Sequence, residues 1–79
     1  MDTIATKVRA KFFVSSITRI SSSPATEVKL SPVMSDSSEE NKAFWKATPH
    51  GLITMTIANP ETADFFALEK EVYVDFTEV

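Results

Sequence analysis

Seventy-nine residues allow a single domain, 1–79, close to the lower size at which a chain can bury a self-sufficient core. The hydrophobic fraction of 43% and charged fraction of 24% are those of a globular protein, and the absence of cysteine excludes disulfides and thiolate zinc sites as reinforcement. A net charge of −3 disfavours a strongly basic nucleic-acid binder.

In chain order, the first predicted element is a strand over residues 7–20, bent near Ser15-Ser16. Val8, Ala10, Phe12 and Val14 alternate onto one face, with Lys7, Arg9 and Lys11 opposite. Ser21-Ser22-Ser23-Pro24 reads as a turn. A second strand covers 26–34 with Val28 and Leu30 inward, and Pro32 places it at an edge or breaks it there. A helix follows over 38–47. Asp36 or Ser37 is the expected cap, Glu39 or Glu40 reaches back, and Lys42 and Lys46 suit the later turns. It stops before Thr48-Pro49, and Gly51 closes the turn.

Residues 52–58 form the next strand, with Ile53, Met55 and Ile57 on one face. Asn59-Pro60 opens a short helix as cap and first helical residue, and residues 71–78 are the last strand, with Val72, Val74 and Phe76 inward. The expected architecture is a β-rich α+β fold, a small antiparallel open barrel or curled sheet of about four to five strands with one capping helix and one short helix.

Charge divides along the chain. Residues 1–30 carry +3 and residues 59–79 carry −5, so the two parts attract each other within one fold or between subunits. So small a core without covalent staples also points to a homo-oligomer. No apolar run approaches the roughly 20 residues that span a bilayer, and the start lacks the order of a signal peptide, so cytoplasmic residence is expected.

Catalysis is not expected. His50 is the only histidine and stands in a Thr-Pro-His-Gly turn with no nucleophile motif beside it. One histidine and no cysteine leave too few soft ligands for a metal, and one glycine cannot build a phosphate loop, so no cofactor is expected.

On the 38–47 helix, Ala43, Phe44 and Ala47 form the apolar stripe, which displaces Trp45 onto a polar face. There the indole can stack on a flat ligand while Lys42, Lys46 and Asn41 hold a phosphate or a base edge. Thr48 and His50 supply further hydrogen bonds, with Arg9 and Lys11 from the neighbouring strand. The plainer reading packs Trp45 against the sheet rim or another subunit, and pairs the Lys7/Arg9/Lys11 row with Glu71 and Asp75.

Three segments carry a family resemblance. SEENKAFWKATPHG at 38–51, the NPE-containing stretch 57–66 and KEVYVDFT at 70–77 resemble a widespread group of small proteins of tailed phages, and the likeness extends back to KVRAKF at 7–12. Members tend to carry Pro-Gly before the last strand, where this chain has Ala67-Leu68-Glu69. The group looks like phage counter-defence sponges, which sequester cyclic nucleotide second messengers of host CBASS-type systems without hydrolysing them. The resemblance therefore implies a non-enzymatic, cytoplasmic, phage-encoded oligomer with a cyclic di- or trinucleotide ligand. The alternatives are a minor phage structural or assembly protein, or a single-strand binder stacking bases on Trp45 and Tyr73, which the acidic balance disfavours.

Overall fold

The computed structural model describes residues 7–20, 24–34 and 38–79. Strands β1 (Lys7–Arg19), β2 (Thr26–Pro32), β3 (Ile53–Ile57) and β4 (Glu71–Thr77) form one antiparallel sheet in the order β3-β2-β1-β4. Helix α1 (Glu39–Ala47) connects β2 to β3, and α2 (Pro60–Ala63) connects β3 to β4. The result is a small β-rich α+β domain whose sheet curls without closing. Both outer strands, β3 and β4, wall the same groove, yet neither pairs with the other. No helix among the described residues is long and apolar enough to cross a membrane.

Strand β1 is the spine. Its first part, Lys7 to Phe13, pairs with β4, and its second part, Phe12 to Arg19, pairs with β2. The bend expected at Ser15-Ser16 is a skip in the β1–β2 register between Val14 and Ser16, where one extra residue bends the strand. The Ser15 hydroxyl donates to the Lys29 carbonyl at 3.2 Å and accepts from the Ser31 hydroxyl at 3.0 Å, so the polar atoms at the irregularity are occupied.

Alternation sorts the core as the sequence predicts. Ala10, Phe12, Val14, Val28 and Leu30 are buried together, with Ile17, Ile53, Met55, Ile57, Phe66, Val72 and Val74 packed around them. Val8 and Phe76 belong to the same face but remain 56% and 57% exposed at its open end. Strand β2 lies inside the sheet and ends at Pro32. Strand β3 pairs only as far as Leu30, so the missing proline N–H faces no partner strand.

The helix caps differ in detail from expectation. Ser38 is the α1 cap and accepts from the Asn41 N–H at 3.0 Å, while Asp36 and Ser37 lie outside the described residues, as do Ser21 to Ser23. Glu40 does not reach back to the cap but binds Lys11 and Tyr73. At the other end Thr48 is the C-cap, its N–H bonded to the Phe44 carbonyl. Asn59 caps α2 as expected, accepting from Glu61 and Thr62. That helix is only four residues long, because after Ala63 the chain tightens into bonds from Phe65 to Thr62 and from Phe66 to Ala63.

The turn before β4, where the chain reads Ala67-Leu68-Glu69, is a strained one. The Lys70 N–H closes a four-residue turn on the Ala67 carbonyl at 3.0 Å, and Glu69 takes φ 69° in its third position. That is a type II turn with glutamate where the geometry favours glycine.

Candidate functional site

Helix α1 lies over the polar face of β1 and β4, and a cross-linked polar network fixes it there. Arg9 makes a bidentate pair with Asp75, 2.7 and 2.9 Å, and its guanidinium stands 4.5 Å from the centre of the Tyr73 ring. Lys11 reaches Glu40 at 3.0 Å and Glu71 at 3.3 Å, so one ammonium ties α1 to β4. The Tyr73 hydroxyl donates to Glu40 at 2.6 Å, and the Asn41 amide donates to Glu71 at 3.0 Å. Phe44 completes the contact against Tyr73, with ring centres 5.9 Å apart.

The electrostatics follow from these bonds. The Tyr73 hydroxyl, and then Lys11, hold the Glu40 carboxyl below its usual range. The Arg9 bonds do the same for Asp75. Accepting the Tyr73 proton into its hydrogen bond, Glu40 pushes the phenol upward. Lys11 is raised, first by Glu40 against the opposing effect of burial and then by Glu71.

The eight expected ligand residues therefore separate into two groups. Arg9, Lys11 and Asn41 belong to the network: both cations are neutralised by carboxylates, and Asn41 is 1% exposed, so it faces the sheet rather than a ligand. The inward face of α1 is also corrected. Ala43 and Ala47 are exposed, and Glu40, Asn41 and Phe44 make the contacts instead. The second group stays outside. Trp45 is 38% exposed, with Lys42 and Lys46 exposed beside it in sequence. Lys42 makes one loose pair with Glu39 at 3.6 Å, and Lys46 makes no ion pair among the described residues. Thr48 is half-buried as the helix cap, and His50 is exposed in the following bend. Gly51 needs no special backbone, since a Cβ there would make ordinary contacts with Pro32 at 3.6 Å and Phe12 at 3.8 Å.

A second feature lies on the opposite, apolar face. A groove of about 580 Å³ runs between the outer strands, with Leu30, Ile53 and Met55 on one side, Val72 and Val74 on the other, and Phe65 and Phe66 at its end. Lys70 sits at its lip, 3.7 Å from the centre of the Phe65 ring, and donates to the Phe65 carbonyl at 2.7 Å. Sequence reasoning missed this groove because the residue pattern does not say which strands end up at the edges. The Phe65-Phe66 pair after a short capped helix is the local signal that could have found it.

Comparison with protein-family models, with curated proteins and with solved structures finds no match to this chain.

Proposed function

We propose that the chain is a non-enzymatic binding protein, acting as a homo-oligomer in the host cytoplasm, that sequesters a cyclic nucleotide second messenger as a phage counter-defence. The observation that supports it is the accessible indole. Helix α1 is anchored through Glu40, Asn41 and Phe44, which leaves Trp45 38% exposed, with the exposed Lys42 and Lys46 near it in sequence on the same helix. An aromatic face flanked by cations suits a planar base carrying phosphate. In this reading Trp45 stacks on the base, Lys42 and Lys46 neutralise phosphate, and Thr48 and His50 bond to base or sugar. Arg9, Lys11 and Asn41 act indirectly by holding α1 in place. The ligand class comes from the resemblance to phage sponges.

Calorimetry against a panel of cyclic di- and trinucleotides tests the reading, with Trp45 fluorescence as a second signal because the chain has one tryptophan. Heat and a matching fluorescence change with at least one member are expected, and neither signal with any of them ends the proposal.

The groove and the open sheet edges favour a second reading, a minor virion or assembly protein whose exposed apolar surface meets protein. Stoichiometric amounts of the chain in purified particles, without nucleotide binding, would select it.

A further inference from the structure

The edge of β4 has the properties of a strand made to pair with a copy of itself. The Val14 N–H donates to the Lys70 carbonyl at 2.9 Å, and the Val33 N–H donates to the Lys11 carbonyl at 3.1 Å. Together these set the direction of the β1 backbone. Phe12, Ala10 and Val8 turn their peptide groups towards β4, where they exchange bonds with Val72, Val74 and Phe76. The alternate residues Glu71, Tyr73 and Asp75 therefore turn their N–H and C=O groups outward, away from the sheet.

Edge strands are ordinarily protected from such pairing by proline, a bulge or free charge. Strand β4 has no proline, and its carboxylates are engaged sideways, Asp75 by Arg9 and Glu71 by Lys11 and Asn41. The groove also follows this edge: every residue from Lys70 to Asp75 borders it, which alternating side chains alone do not achieve, so the β4 backbone itself lines the space.

We infer that two copies of the chain pair through antiparallel β4 strands about a two-fold axis at Val74, joining two four-stranded sheets into one. Charge selects this register. Centring on Val74 sets Tyr73 opposite the partner subunit's Asp75, Glu71 opposite the partner subunit's Thr77, and Val72 opposite the partner subunit's Phe76. Centring on Tyr73 would oppose Glu71 and Asp75, and centring on Asp75 would oppose that carboxylate to itself, both unfavourable. Centring on Val72 or Phe76 shortens the paired stretch. The chosen register uses all seven residues and covers Phe76, which is 57% exposed in one copy. The other edge, β3, carries no charge but has only five residues, and α2 packs against it.

This inference rests on the homo-oligomer part of the proposed function and is independent of nucleotide binding. Its test uses ligand-free protein. Light scattering should give twice the 8.8 kDa chain mass. The chain has no cysteine, so Val74→Cys introduces a single thiol. Val74 would face its own copy in a non-hydrogen-bonded pair, close enough to form a disulfide under mild oxidation. A covalent dimer is expected from Val74→Cys and not from Met55→Cys on β3. Phe76→Lys, at an exposed position that the monomer tolerates, should keep the circular dichroism spectrum and weaken dimerisation at least about tenfold by placing ammonium groups in the apolar seam. A monomeric mass at all concentrations, cross-linking through Met55→Cys instead, or an unchanged dimer with Phe76→Lys overturns the interface. Nucleotide heats measured on the same samples report on the ligand separately, so either idea can fail without the other.

Discussion

Tyr73 is the residue on which the polar face converges. It donates to Glu40, carries Arg9 over its ring and meets Phe44, so it links β4 to both β1 and α1. Its bond contributes to the acid behaviour of the molecule. Glu40 and Asp75 have carboxyls held below their ordinary values of 4.5 and 3.8, so their stabilising contributions are present at neutral pH and disappear as pH falls through the lowered values. Thermal melts between pH 7 and pH 3 should therefore show stability falling below about pH 4.5. Tyr73→Phe should be less stable at neutral pH and lose less on acidification. Parallel pH profiles for the two proteins would refute this account. At the outer side of the same helix, the proposed stacking on Trp45 predicts that Trp45→Ala weakens binding of the proposed nucleotide about 5- to 150-fold, the equivalent of roughly 1–3 kcal/mol per stacked base. An unchanged titration would move the ligand elsewhere. The pairing of the Arg9 row with Asp75 and Glu71 was legible in the sequence because a basic strand and an acidic strand stand in complementary order. The burial of Asn41 was not. A helix that docks through hydrogen bonds gives no apolar stripe, so hydrophobic periodicity selected Ala43 and Ala47, which face solvent.

Among the elements, the strands were readable because each presents one face to the core and alternation marks that face without ambiguity. The helix ends were readable where a side chain closes them, as Asn59 does for α2. The turn leading into β4 has no glycine, so a residue with a side chain takes its strained position. Glu69 occupies a left-handed backbone position, which costs a side-chain-bearing residue roughly 1–2 kcal/mol. Glycine relieves that cost but loses about 0.5–1 kcal/mol through its freedom in the unfolded chain. Glu69→Gly should thus raise stability by about 0.5–1 kcal/mol, seen as a higher melting temperature. A lower one would mean that the glutamate side chain contributes a contact that outweighs the strain.

At the scale of the whole molecule, the order β3-β2-β1-β4 decides which surfaces are left open. It places the two edge strands at the mouth of one apolar groove and leaves the polar face to α1, so the groove and the helix are separated by the thickness of the sheet. Alternation and charge could not foresee that separation, which depends on strands far apart in the chain. The same arrangement makes β1 a strand with two independent neighbours along its thirteen residues. Its leading segment is clamped by a partner some sixty residues away along the backbone, as in the Arg9–Asp75 pair with a separation of 66, and its trailing segment by one joined through a short loop. Closing the longer span is the slower event, and opening it exposes only the leading amides. Deuterium uptake should accordingly split this continuous ribbon in two, with Val8 and Ala10 exchanging in step with Val74 and Phe76, and Thr18 and Ile20 in step with Glu27 and Lys29. One uniform rate along the ribbon would mean that the sheet dissolves only as a unit.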